Sequence, residues 1–111
     1  MRSKTFNCGV GMTLAVALLG CGPDRAAREA ALTELGRRIV AAESCAATDP
    51  CILAGRSNCS CERPVNGNAA SGIAEAVAEV NRTCSPSDFL ADCPAYVNVR
   101  CEAWRCVADL R

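Results

Sequence analysis

Residues 45–61 read Cys-Ala-Ala-Thr-Asp-Pro-Cys-Ile-Leu-Ala-Gly-Arg-Ser-Asn-Cys-Ser-Cys, so four cysteines fall in one short stretch. The whole chain has ten cysteines in 111 residues, a density near that of disulfide scaffolds. Much of its apolar content is alanine and cysteine, and large apolar side chains are few. A small domain with so thin a core usually needs disulfides or metals. The cysteines therefore decide the fold.

The N-terminus has the pattern of an export signal. Arg2 and Lys4 precede an apolar run over residues 10–19. The run is too short for a transmembrane helix, which needs about 20 apolar residues. Its length and its positively charged flank are those of a signal peptide. We set residues 1–20 aside as a signal peptide that is removed.

The apolar run ends in Leu18-Leu19-Gly20-Cys21, which resembles the lipobox of bacterial lipoproteins. The resemblance implies cleavage before Cys21 and attachment of a diacylglycerol and a further acyl chain, such as palmitate, to that residue. Two or three acyl chains anchor a protein stably to a membrane. Gly22 stands where enterobacterial sorting uses aspartate for the inner membrane, so the resemblance favours the outer membrane. The open alternatives are cleavage by the general signal peptidase, with Cys21 in a disulfide, and a retained membrane anchor.

If Cys8 is removed with the signal peptide and Cys21 carries the lipid, eight cysteines remain, which is an even number. In an oxidising periplasm these favour disulfides, and eight cysteines allow 105 pairings. A zinc site would need ligand pairs at C-x₂₋₄-C spacing, and only Cys101–Cys106 fits. We therefore predict four disulfides and no metal or cofactor. The predicted disulfide cysteines are Cys45, Cys51, Cys59, Cys61, Cys84, Cys93, Cys101 and Cys106.

Apolar periodicity and turn residues predict the order α-β-β-α-β-β, a small disulfide-rich α+β domain. The predicted elements are helices over 24–43 and from 68 or 71 to 83, and strands over 51–56, 59–65, 95–101 and 105–108. A lipidated cysteine, short tether and N-terminal helix would occupy residues 21–43, and the disulfide-linked domain 44–111. Leu32, Leu35 and Ile39 form one stripe on the first helix. The stripe either packs on the core or belongs to a stalk.

Two cysteines separated by one residue make a specific prediction. Cys59 and Cys61 would point to the same face of a strand. We expect them to bond to two different elements rather than to each other.

The composition excludes several function classes. The chain has no histidine, and its Lys plus Arg and Asp plus Glu both number twelve. No Ser-His or Cys-His pair can form, and no basic footprint indicates nucleic acid. Glu75 and Glu79 share a helix face, but that face is the solvated one, whereas catalytic carboxylates face each other in a cleft. We predict a protein that is not an enzyme, has no catalytic residues and binds no nucleic acid.

The last predicted hairpin carries the strongest candidate binding patch. Tryptophan, tyrosine and arginine are enriched in binding hot spots. The candidate residues are Trp104, Tyr96, Arg100 and Arg105. The alternative is that Trp104 is the largest core residue beside a disulfide.

The cysteine-rich segment from 45 to 111 resembles cysteine-rich lipoproteins of myxobacteria and similar GC-rich bacteria. The matching features are Asp49-Pro50-Cys51, Cys59-Ser60-Cys61, Val65-Asn66 before a helix, Cys93-Pro94-Ala95, Arg100-Cys101 and Arg105-Cys106-Val107. This resemblance implies a cell-envelope location and carries no activity. We expect a lipid-anchored protein with a binding or structural role, whose partner is an envelope protein or polymer. The alternative is an inhibitor of a protease or cell-wall hydrolase, acting through residues 85–92 or 56–58.

Overall fold

The computed structural model describes residues 23–88 and 92–111, and the side chains from residue 25 onward. Cys21 and the lipobox lie outside the described residues. The elements are α1 (Pro23–Ala41), β1 (Cys51–Ala54), β2 (Arg63–Asn66), α2 (Ala70–Thr83), β3 (Tyr96–Glu102) and β4 (Arg105–Leu110). Short 3₁₀ helices, Gly67–Ala69 and Pro86–Asp88, flank α2. The predicted α+β class and the order α-β-β-α-β-β are confirmed.

The two helices form an antiparallel pair. Arg38, near the end of α1, donates to the carbonyl oxygen of Gly72 at the start of α2. Arg28, near the start of α1, pairs with Asp88 just after α2. The core lies between the helices and the β1–β2 hairpin, and its most buried side chains are Leu35, Ile73, Val65 and Val80. The stripe on α1 therefore packs on the core, and the stalk interpretation is wrong for this face.

Two antiparallel hairpins complete the domain. β1 pairs with β2, in the register Ile52 to Val65. β3 pairs with β4, in the register Cys101 to Cys106, with a bulge between Val97 and Arg100. β1 packs against β3 and β2 against β4. Because Asn98 sits in the bulge with φ +58°, the side chains of β3 do not alternate strictly between the two faces of the hairpin at that point.

Four disulfides connect these elements, as predicted. The described residues contain no free cysteine. Cys59 and Cys61 bond to different partners, also as predicted. They lie in the loop before β2, however, and not in a strand, since β2 begins only at Arg63. The pairs, with their Cα–Cα distances, are Cys45–Cys101 (6.0 Å), Cys51–Cys106 (5.6 Å), Cys59–Cys84 (6.2 Å) and Cys61–Cys93 (5.3 Å).

The sequence places the cap of the second helix at Asn68 or Ser71, whereas the structure has a side-chain cap at Asn66, before the 3₁₀ turn that leads into α2. Asn66 takes this role, because its side chain accepts a hydrogen bond from the N–H of Asn68 and starts a 3₁₀ turn. α2 then continues from Ala70 without a side-chain cap. The Asn66 amide also donates to Asp49 and to the carbonyl oxygen of Ser44. Asn66 thus connects the start of the second helix with the turn before β1.

Candidate functional site: the tip of the β3–β4 hairpin

The β3–β4 hairpin ends in a two-residue turn with an unusual sequence. Glu102 pairs with Arg105, so that Ala103 and Trp104 form the tip. Both tip residues have positive φ, +52° and +68°. This is the pattern of a type I′ turn, whose backbone twist matches that of the two flanking strands. The central residues of such turns are normally asparagine and glycine. A residue that carries a Cβ has a strained backbone at positive φ, so contacts from the surrounding structure must hold the turn in place.

The segment that follows α1 supplies this restraint. The carbonyl oxygen of Trp104 accepts a hydrogen bond of 3.0 Å from the N–H of Cys45. The N–H of Cys106 donates to the carbonyl oxygen of Glu43 at 2.8 Å. The Cys45–Cys101 disulfide adds a covalent bond at the same place. The end of the hairpin is therefore held by two backbone hydrogen bonds and by a disulfide two residues before the tip.

Trp104 is not a core residue, so the core alternative is wrong. Its side chain is 70% exposed, the most exposed large apolar residue in the described part of the chain. It lines an open cavity of about 240 Å³ together with Ala47, Cys101 and Ala103. An exposed indole beside an open cavity is the kind of surface that binding partners contact.

The charges around the tip largely neutralise one another. Arg105 donates to the Glu43 carboxylate at 2.9 Å, and Arg63 lies 3.9 Å from the same carboxylate. Arg100 lies 3.2 Å from Asp109. Hydrogen bonds from the Asn98 and Arg100 side chains lower the pKa of Asp109 below its ordinary value. Arg100 and Arg105 both have acidic partners. The surface around the apolar Trp104 side chain is therefore close to neutral.

The four predicted patch residues do not form one compact cluster. Trp104 and Arg105 lie at the tip, and Arg100 lies one residue pair beyond Cys101. Tyr96 pairs with Leu110 at the far end of the hairpin and is half-buried. A second groove of about 240 Å³ is lined by both Tyr96 and Arg105 along β4. The strand register thus spreads the patch along the hairpin.

Of the two predicted inhibitor loops, residues 56–58 are the better constrained. Ser57 and Ser60 form a bridge, and the following Cys59 and Cys61 both bond to distant residues. Arg56 is exposed and lies 3.3 Å from Glu62. In the other loop, Ser85–Asp88 is described and Asp88 is tied to Arg28. The rest of that loop includes residues 89–91, which lie outside the described residues.

Two groups of side chains bring possible metal ligands together. The sulfurs of Cys45, Cys51 and Cys106 lie within 4.8 Å of one another, as do ligand atoms of Cys59, Cys84 and Asp88. Every one of these cysteines is in a disulfide, and metals bind the thiolate form. Neither group is therefore a metal centre in the oxidised protein. Glu75 and Glu79 are exposed and pair with Arg38 and Arg82.

No protein-family model, curated protein or solved structure matches this chain. Among the described residues, none of the helices combines the length and apolar character that crossing a membrane requires.

Sequence reasoning missed the residues that hold the tip. Glu43 and Cys45 contact the tip backbone from a part of the chain some sixty residues away. Ala103 carried no signal, because alanine is not a typical residue of a turn with positive φ. The sequence signal that could have indicated a restrained tip is the proximity of Cys101 and Cys106 to it.

Proposed function

We propose that this protein is a lipid-anchored component of the bacterial cell envelope that is not an enzyme and that binds a partner through its β3–β4 tip. The observation that carries the binding role is the exposure of Trp104 on a strained and covalently restrained turn. Strained backbone persists where the surrounding structure over-determines it, and such positions cluster at functional sites. The proposed contact residues are Trp104 and Arg105, with Arg100 at the margin, and Tyr96 at the far end of the hairpin is left out of the contact.

The envelope location is proposed from the lipobox-like sequence and the disulfides. Leu18-Leu19-Gly20-Cys21 follows a charged and apolar leader, and four disulfides suit an oxidising compartment. We further propose the outer membrane, because Gly22 follows the candidate lipidated cysteine. The test is the intact mass of protein extracted from membranes. A chain that starts at Cys21 and carries acyl chains is expected, and an unlipidated chain would refute this part.

The position of the tip indicates which way it faces. α1 begins at Pro23, two residues after the proposed lipid site, and has 19 residues. At about 1.5 Å per residue it spans roughly 28 Å. The tip contacts residues 43–45, just beyond the opposite end of that helix. Trp104 is therefore placed away from the start of α1, which favours a partner other than the anchoring bilayer.

The partner we favour is an envelope protein with an apolar pocket. The acidic partners of Arg100 and Arg105 leave little net charge for attracting a polyanion. Tryptophan anchors that fill a pocket dominate protein interfaces. A neutral envelope polymer that stacks on the indole is the other outcome of the test.

The test compares two positions on the same hairpin. Trp104 and Leu110 are almost equally exposed, at 70% and 69%, and lie at opposite ends of the strands. A photo-crosslinking amino acid at position 104 should yield a discrete protein adduct in living cells, and the same label at position 110 should not. Equal labelling from both positions would refute the tip as the binding site. An adduct sensitive to glycan-cleaving enzymes would identify a polymer.

The inhibitor alternative is supported by one observation. Arg56 is exposed in a loop whose neighbouring cysteines are bonded to two separate elements, which gives the rigidity an inhibitor loop needs. Inhibition of a trypsin-like protease by the protein, and its loss in Arg56→Ala, would favour this function. Trp104→Ala is the matched control, since it leaves this loop intact.

A further inference from the structure

Two of the four disulfides lie so close together that their sulfurs can exchange partners. Cys45 is bonded to Cys101, and Cys51 to Cys106. The sulfurs of Cys45, Cys51 and Cys106 nevertheless all lie within 4.8 Å of one another. Within residues 23–88 and 92–111, the sulfurs of Cys61 and Cys93 belong to no such group.

The hairpin provides an alternative partner for Cys101. Cys101 and Cys106 face each other across β3 and β4, one position before the pair that flanks the turn. Two residues that face each other at this place form a non-hydrogen-bonded pair, in which the two Cα atoms lie about 4.5 Å apart. The N–H of Cys106 is indeed directed to Glu43 rather than to β3. A disulfide spans this Cα distance, so Cys101 and Cys106 can bond directly.

Access to these sulfurs is unequal. Cys45 and Cys106 are each only 6% exposed. Cys51 and Cys101 are both partly exposed, and Cys101 alone of the four lines the open cavity of about 240 Å³ beside Trp104, whereas buried Cys106 borders the groove along β4. An external thiolate that enters this cavity meets Cys101 first, with buried Cys45 as the leaving group.

We propose that Cys45, Cys51, Cys101 and Cys106 form a disulfide-exchange site that an external thiolate enters at Cys101. The thiolate bonds to the Cys101 sulfur, and the electron pair of the broken bond leaves on Cys45. The Cys45 thiolate bonds to the Cys51 sulfur and releases Cys106 as a thiolate. Cys106 then bonds to Cys101 and expels the external thiolate. Two native bonds become Cys45–Cys51 and Cys101–Cys106, with no net oxidation or reduction.

This exchange would change how the tip is held. In the native form, two bonds tie the hairpin to Cys45, between α1 and β1, and to Cys51, the first residue of β1. In the exchanged form, both new bonds are local. Among the described residues, Cys61–Cys93 is then the remaining disulfide that joins the segment leading into β3 to an earlier part of the chain. The site therefore couples the covalent attachment of the Trp104 tip to the presence of a reactive thiol. This holds whether or not the proposed partner exists.

Peptide mapping distinguishes the two forms by mass. After acid quenching and alkylation, trypsin cuts at arginine and yields peptides 39–56, 101–105 and 106–111. The native bonds join all three peptides in one species. The exchanged bonds leave 39–56 closed on itself and join 101–105 to 106–111. The oxidised full-length protein is incubated with a catalytic amount of reduced glutathione.

We expect the two-peptide species to appear, preceded by a glutathione adduct on 101–105, while the Cys61–Cys93 peptides stay unchanged. Persistence of the three-peptide species, or a first adduct on 39–56, would overturn the proposal. In a parallel incubation, a purified Cys-X-X-Cys oxidoreductase replaces glutathione. The rate at which the two-peptide species forms in each incubation shows whether a small thiol or a protein thiol reacts faster with the site.

A single substitution gives an independent test without added thiol. In Cys45→Ser, Cys101 has no disulfide partner and lies across the hairpin from Cys106. Its thiolate should attack the Cys106 sulfur, form Cys101–Cys106 and release Cys51 as a free thiol. Alkylation is then expected to label Cys51. Labelling of Cys101 alone would contradict the proposed second bond.

Discussion

The N–H of Cys45 and the carbonyl oxygen of Trp104 are joined by a hydrogen bond of 3.0 Å, although 59 positions separate the two residues in the sequence. This bond holds a turn whose two central residues, Ala103 and Trp104, have positive φ, a conformation that is unfavourable for both residue types. The turn conformation is therefore imposed by the rest of the domain, and its strain can be measured.

Ala103→Gly should raise the free energy of unfolding by about 1 kcal/mol. Ala103 has φ +52°, where glycine is adopted without the steric cost of a Cβ. Urea denaturation with the disulfides intact measures the change. Ala108→Gly is the control, because Ala108 lies within β4 and glycine there should lower stability. A destabilised Ala103→Gly variant would show that the turn is not strained.

Two glycines should respond to alanine in opposite directions. Gly55 has φ +100°, and an added Cβ would lie 2.7 Å from Cδ1 of buried Ile39. We expect Gly55→Ala to lower the midpoint of urea unfolding, with a cost of about 1–3 kcal/mol. Gly36 lies within α1, and a methyl group added there would meet no packed neighbour within 4 Å, so Gly36→Ala should stabilise by up to about 1 kcal/mol. Shifts of the same sign would contradict the packing around Ile39.

Stability should fall in acid through Glu34. Hydrogen bonds from Arg37 and then Arg38 lower the pKa of Glu34 from 4.5 to about 2. A lowered pKa in the folded state contributes stability above the unfolded pKa, and that contribution disappears as the pH falls from about 4.5 towards 2. Glu34→Gln should flatten this part of the unfolding profile followed by circular dichroism. Glu29→Gln, on the same helix, controls for loss of one carboxylate, and an unchanged profile in Glu34→Gln would exclude this ion-paired cluster.

Reduction should unfold the domain. Each disulfide typically contributes about 2–4 kcal/mol, chiefly by restricting the unfolded chain, and the core is small. Excess reductant in native buffer is expected to abolish the far-ultraviolet circular dichroism of both helices. The same buffer without reductant is the control. A spectrum that survives complete reduction, verified by alkylation, would show that packing alone maintains the fold.

Local sequence patterns predicted the elements that depend on their own residues. Ile73, Val77 and Val80 recur at helical spacing, and α2 buries that face. Cys59 and Cys61 were correctly predicted to bond to different elements, from the expectation that both would point to the same face of a strand. Their strand assignment was wrong, since the loop takes its shape from two distant disulfides rather than from its own alternation.

Features that depend on distant partners were not predictable from local patterns. Eight cysteines allow 105 pairings, and the selection among them requires the packing of two hairpins. The cap at Asn66 depends on the turn after α1, which Asn66 also contacts. The turn that carries Trp104 is held by backbone hydrogen bonds to Glu43 and Cys45, which lie just after the end of α1.

The overlapping spans of Cys45–Cys101 and Cys51–Cys106 also determine the response of the chain to a protease. A single peptide-bond cut anywhere between Cys45 and Cys106 leaves at least one of these bonds joining the two fragments. A nick in an exposed loop therefore yields a two-chain molecule that stays whole until it is reduced. Cleavage within α1 is different, because no bridge among the described residues spans it, and such a cut leaves the two fragments joined only by the packing of α1 on the core.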